Sequence, residues 1–90
     1  MIFNDYKNWE TFLFAQYFGF DIYELLKDQF PVDYSTICET IENIIDEMRK
    51  STDKVEFKHQ FIKDLVSLSF DEIDIEQVAD TVLEIIKEYE

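Results

Sequence analysis

A chain of 90 residues with a single glycine, Gly19, and a single proline, Pro31, has almost no means of turning tightly. Phosphate-cradling loops, two-residue hairpins and β-bulges lean on glycine, which alone enters positive-φ backbone without steric cost. Their near absence predicts helices joined by short loops. The length makes one domain, residues 1–90. With 47% hydrophobic residues and nine Phe there is material for one core. A domain this small has no room for a core and a deep cofactor cleft together.

The apolar periodicity follows that expectation. A first helix is predicted over residues 6–18, capped by Asn4 or Asp5, with Trp9, Phe12, Leu13, Gln16 and Tyr17 on one stripe and Phe14 and Phe18 widening it. Gly19 is the expected stop, and Asp21 then caps a short helix over residues 22–29 that Pro31 ends. The third segment is the clearest: Tyr34, Ile37, Cys38, Ile41, Ile44, Ile45 and Met48 recur at helical spacing behind Asp33 or Ser35 as cap. Arg49 and Lys50 stand at its end, where cations favour the helix dipole. A break at Ser51, Thr52 and Asp53 follows, with Asp53 and Glu56 matching a capping box in outline. The fourth helix runs to about Ser69 with Phe57, Phe61, Ile62, Leu65, Val66 and Leu68 as its buried stripe. Asp74 caps the last, which carries Ile75, Val78, Ala79, Val82, Ile85, Ile86 and Tyr89. The sum is an all-α fold, a compact bundle of four to five helices, with five preferred because the second is too short to span a bundle. Short loops predict antiparallel neighbours.

Catalytic chemistry finds little here. His59 is the only histidine and Cys38 the only cysteine, so there is no two-histidine metal site and no intrachain disulfide. His59 lies between Lys58 and Lys63 and reads as a surface or partner-contact residue; Cys38 lies among apolar positions and reads as a small hydrophobe. No nucleophile elbow and no glycine-rich phosphate loop is present. The acidic run Asp71, Glu72, Ile73, Asp74, Ile75, Glu76 lacks the turn glycine of a calcium loop and has isoleucine at alternate positions. The chain is therefore expected to be no enzyme, with no catalytic residue, no metal and no cofactor. Met1-Ile2-Phe3-Asn4-Asp5 has neither the basic start nor the apolar stretch of a signal peptide, and the uncharged run over residues 11–20 is too short to span a bilayer. An intact cytoplasmic protein is expected.

Charge says more. Twenty-one acids against eight bases leave −13, the wrong sign for direct binding of nucleic acid or of an anionic membrane. A basic protein, or one that itself binds nucleic acid, is the natural partner. The charge is also polarised: residues 68–90 hold eight acids and one base, and residues 49–63 hold five bases and two acids. Glu76, Asp80, Glu84 and Glu88 recur every four residues, and Glu39, Glu42 and Asp46, with Glu47 one step round, make a second strip. Like charges at that spacing cost a few tenths of a kcal/mol per pair, so helix stability alone would have placed lysine in the column. The candidate partner-binding set is Glu39, Glu42, Asp46, Asp71, Glu72, Asp74, Glu76, Asp80 and Glu84, with Tyr23 and Tyr34 as aromatic anchors. For either tyrosine taken singly, core is the competing assignment.

Over residues 9–48 the chain resembles small helical immunity proteins of bacterial contact-dependent growth inhibition systems. An aromatic first helix ends in Gln16-Tyr17-Phe18-Gly19-Phe20-Asp21, similar to the Tyr-Phe-x-x-Asp feature of one such family. Gly19-Phe20 stand where that family often has His or Gln, and Ile22 where Trp commonly follows the Asp. The resemblance implies a cytoplasmic protein that neutralises one cognate basic toxin domain, a nuclease, by covering its nucleic-acid cleft with acidic surface. It also implies that Tyr17, Phe18 and Asp21 serve the fold rather than the contact. Two alternatives remain at this stage: a phage or plasmid DNA mimic that inhibits a host nuclease (anti-restriction or anti-CRISPR), and a helical adaptor module using an apolar groove. The oligomeric state is left open.

Overall fold

The computed structural model describes residues 5–89. The chain is an all-α bundle, with four α-helices and no strand among the described residues: α1 (Trp9–Leu26), α2 (Tyr34–Asp53), α3 (Gln60–Asp71) and α4 (Ile75–Tyr89). A short 3-10 turn, Lys27–Gln29, closes α1 before the cis Phe30–Pro31 bond.

The two helices expected before Pro31 are one. Asn8 is the N-cap of α1, its side-chain oxygen accepting from the Thr11 amide at 2.8 Å. Asp5, expected as a possible cap, instead accepts from the Gln77 side-chain amide through its carbonyl at 2.7 Å; Asn4 lies outside the described residues. Gly19 does not stop the helix, because its φ is not positive. It faces α4, with room for a methyl group: a Cβ there would sit 3.4 Å from the Ile85 Cδ1 methyl and 3.7 Å from Thr81 Cγ2. Asp21 is accordingly an exposed mid-helix residue rather than a cap.

Helix α4 organises the bundle. Val78, Ala79 and Val82 are fully buried between α1 and α2, against Phe14, Ile22 and Leu26 on one side and Ile37, Ile41 and Ile45 on the other. The cross-contacts fix direction. Thr11 meets Asp74, Gly19 meets Thr81 and Ile85, and Tyr23 stacks on Tyr89, so α1 and α4 run parallel. Tyr34 at the start of α2 reaches Glu76, whereas Arg49 near its end reaches Asp71, so α2 runs antiparallel to both. Sequence-adjacent helices need not be the ones that pack most closely.

A polar knot fastens the starts of α1 and α4. Thr11, fully buried, accepts from the Asp74 amide at 2.9 Å and donates to the Glu72 carbonyl at 3.4 Å, which also receives the Asn8 amide at 2.8 Å. Asp74 caps α4 as expected, its carboxylate accepting from the Gln77 amide at 3.1 Å. Nearby, the Tyr6 and Thr81 hydroxyls share a buried hydrogen bond of 3.0 Å.

The break expected at Ser51–Asp53 is absent. These residues continue α2, which ends where Lys54 and Val55 donate back to the Ser51 and Thr52 carbonyls. The next helix starts at Gln60, with His59 as an N-cap that makes no side-chain cap bond. The larger correction concerns what α3 buries. None of its residues is buried, and Phe61, Ile62, Leu65 and Leu68 are exposed. The apolar positions cover two faces at 100° per residue. Val66 and Phe70 turn toward the bundle, while Phe61, Leu65 and Leu68 turn away from it. Only α2 packs substantially on α3, so one face is covered and the other is not.

The radius of gyration, 14.2 Å, exceeds the roughly 12 Å of an ordinary domain of this length. The shortest extent, 17 Å, is under two helix diameters of about 10–12 Å. The molecule is a slab with much of its surface on two broad faces.

Two substitutions test this packing. Gly19→Ala should stabilise by about 0.5–1 kcal/mol, because a mid-helix glycine costs that much and the added methyl meets only ordinary contacts; thermal melting would show it. Thr11→Val should destabilise by about 1–3 kcal/mol, since it leaves the Asp74 amide without its buried acceptor; chemical denaturation reads that loss.

Candidate functional site: two acidic strips on α2 and α4

The residues that build α2 and α4 also sort their charges. On α2, Ile37, Ile41 and Ile45 point into the core, which turns Glu39, Glu42 and Asp46 outward. On α4, burial of Val78, Ala79 and Val82 turns Glu76, Asp80 and Glu84 outward. All six acids are exposed. Because α2 packs antiparallel on α4, the strips lie on neighbouring helices, with Tyr34 and Cys38 between them.

Asp33 sets the start of α2. One of its carboxylate oxygens accepts from the Thr36 amide at 2.9 Å, the Thr36 hydroxyl at 2.6 Å and the Ser35 hydroxyl at 3.2 Å. These bonds, the Thr36 hydroxyl first, hold the Asp33 carboxyl below its ordinary value. Tyr34 follows on the surface, 40% exposed, and its hydroxyl donates to the Glu76 carbonyl at 3.2 Å, joining the two strips. Partial burial, then the Asp80 carboxylate and further the Glu76 carboxylate, push the Tyr34 phenol up. Burial first, with Glu42, Glu76 and Asp80 adding to it, also pushes the half-buried Cys38 thiol up, against the lowering effect of Tyr34. Carboxylates from both helices thus converge on one tyrosine and one thiol.

The turn between α3 and α4 uses its acids differently. Asp71 pairs with Arg49 at 2.5 Å, and the Arg49 guanidinium lies 5.5 Å from the centre of the Phe70 ring. Asp74 spends its carboxylate on the α4 cap, and Glu72 contributes its carbonyl to the Thr11 knot. The ion pairs among the described residues join Arg49 to Asp71 and Lys27 to Glu24, and neither involves an acid of the two strips. A shallow hollow of about 220 Å³ lies beside Arg49, bordered by Glu42, Asp46 and Asp71. Another, of about 260 Å³, is bordered by Asp80, Glu84 and Tyr6.

Tyr23 is not the exposed anchor proposed for it. It is 6% exposed, ringed by Phe20, Phe30 and Tyr89, so the core assignment is the one realised. Its position one turn after Gly19 on an uninterrupted α1 points it at α4. His59 is exposed. No group of three or more His, Cys, Asp and Glu among the described residues is placed to hold a metal ion. No described helix is long and apolar enough to cross a membrane. The sequence reading missed the uncovered apolar surface of α3 and its neighbours on α1. The signal was present in α3, whose apolar positions exceed one helical face.

Comparison with protein-family models, with curated proteins and with solved structures returns no match.

The Asp33 cap gives a pH-dependent test. Its carboxyl is depressed in the folded chain, so its stabilisation is complete above the unfolded value, 3.8, and fades as pH falls through the lower folded value. Asp33→Ala should therefore melt below wild type at neutral pH, and the gap should close in strong acid. Melting temperatures of both proteins across the carboxylate range would show it.

Proposed function

We propose that this chain is an immunity protein that binds and neutralises a cognate basic toxin domain of the nuclease type through the acidic surface of α2 and α4. The observation that carries this reading is the pair of exposed strips, Glu39, Glu42 and Asp46 beside Glu76, Asp80 and Glu84, with no cation of the chain paired to them among the described residues. Their mutual repulsion works against folding, and a basic partner removes it. Such a surface steers a basic protein into contact and gives association that weakens with salt. Tyr34, held between the strips by its bond to Glu76, supplies an aromatic contact in the middle of the charge. The mechanism is occlusion: acids take the places that phosphates occupy in the partner's nucleic-acid cleft. On this reading the protein acts in the cytoplasm, needs no cofactor and catalyses nothing.

A DNA mimic aimed at a host nuclease would use the same charges. It differs in predicting competition with DNA for the nuclease and less dependence on a single cognate partner. A helical adaptor would instead use the apolar groove between α1 and α3, bordered by Leu13, Tyr17, Met48 and Phe70.

Calorimetric titration against the toxin domain encoded beside this chain separates these readings. The expected result is tight one-to-one binding that weakens with added salt and falls by a hundredfold or more, about 2.7 kcal/mol, on Asp80→Lys with Glu84→Lys. Absence of binding at low and moderate salt would remove the cognate-toxin assignment. Binding that ignores the charge reversal would move the contact to the apolar groove.

A further inference from the structure

The groove between α1 and α3 is lined by three helices. Leu13 and Tyr17 of α1, Ser69 and Phe70 of α3 and Met48 of α2 border a hollow of about 250 Å³. Tyr17 is 74% exposed. The apolar lining extends along α3, because Leu65 and Ile62 precede Ser69 by four and seven residues on the same helical face, and both are exposed. The walls are helical, so their backbone amides and carbonyls are bonded within each helix and no strand edge is offered to an extended segment. A slot of this kind takes an amphipathic helix, whose side chains at i, i+3 or i+4 and i+7 lie along the apolar lining.

The charges around the groove are of one sign. Helix α1 contains no lysine or arginine. The single base of α3, Lys63, is half-buried, three residues before Val66 and seven before Phe70 on the inner side of the helix. Glu10 is the only charged residue lining the groove among the described residues. Asp21, exposed, stands one turn beyond Tyr17 on the same stripe of α1. Asp64, also exposed, stands one turn after Phe61 and one turn before Leu68 on the outer face of α3, and its carboxylate accepts from the Gln60 side-chain amide at 2.9 Å. The ion pairs among the described residues engage none of these three acids. Arg49 approaches Phe70 from the neighbouring hollow and is paired with Asp71. An apolar slot edged by acids repels a second copy of this chain, with its net charge of −13, and an anionic membrane alike. It attracts cations carried on the polar side of a helix.

We infer that the groove takes an amphipathic helix of a basic protein, its apolar stripe on Leu13, Tyr17 and Leu65 and its lysines or arginines toward Glu10, Asp21 and Asp64. No acid of the α2 and α4 strips lines the groove, so this inference does not rest on the toxin reading.

Calorimetric titration of the full chain at moderate salt tests it, with a synthetic peptide of about 18 residues, five turns of helix, carrying leucine along one stripe and lysine elsewhere. The expected result is saturable one-to-one binding, with amide chemical-shift changes centred on Leu13, Tyr17 and Leu65. Tyr17→Ser should weaken it roughly tenfold, equivalent to about 1.4 kcal/mol. Leu65→Ser should do the same, and both variants sit at exposed positions where the helical circular dichroism should not change. Glu10→Gln with Asp21→Asn should weaken binding and flatten its dependence on salt. Asp80→Lys with Glu84→Lys should leave it within about threefold of wild type, because at moderate salt charges beyond a Debye length are largely screened. Absence of saturable binding would overturn the inference. So would equal binding of a peptide with the same composition and scrambled leucines, which needs only charge attraction. Equal binding of the peptide with glutamate in place of lysine would overturn it too, and would open the groove to an acidic partner or a second copy.

Discussion

Everything in this bundle is arranged around the wedge that α4 drives between α1 and α2. Three small residues, Val78, Ala79 and Val82, make the wedge narrow enough for Phe14 and Ile22 to close on it from one side and Ile37 and Ile41 from the other. Burial of about 1.5–3 kcal/mol per large aliphatic side chain is the main favourable term in so small a domain. The seat is defined by more than apolar contact. The Thr11 hydroxyl and Asn8 hold the turn before α4, and Tyr34 holds its first turn from the opposite side. Every buried side-chain polar atom among the described residues has a partner. The position of α4 then fixes where its carboxylates go.

The helical periodicity carried most of the architecture. The spacing of Ile37, Ile41 and Ile45, and that of Val78 and Val82, left α2 and α4 little choice of inner face, so the acid strips were legible with them. Asp33 and Asp74 were legible as caps because their oxygens have only the first-turn amides to serve. What failed were inferences that depend on a neighbour. Gly19 reads as a terminator locally, yet it lies mid-helix and faces Ile85, 66 residues away on α4. Asp53 reads as a cap, yet the Arg49–Thr52 stretch has nothing to interrupt α2. Phe61, Leu65 and Leu68 read as core because hydrophobicity marks a surface that wants covering without saying whether this chain covers it. Tyr23 went the other way, its neighbour Glu24 pointing to water while its own ring packs under Tyr89.

Two surfaces of the bundle present different chemistry. One offers charge, where attraction acts over about a Debye length and is screened by salt. The other, on α3 and α1, offers exposed apolar side chains and a groove, where attraction is short-ranged and depends on fit. Having them on separate elements lets each be occupied without displacing the other.

The one-sided seating of α3 has a consequence for how the molecule breathes. Helices α1, α2 and α4 pack against one another around the buried core. The amides of α3 are guarded on one side, where Phe70 packs against the core and Arg49 bridges to Asp71. Such an element opens as its own cooperative unit at a lower free energy than the rest. This sets α3, between the end of α2 and the start of α4, apart from the rest of the bundle, and whatever covers its outer face also slows exchange within it.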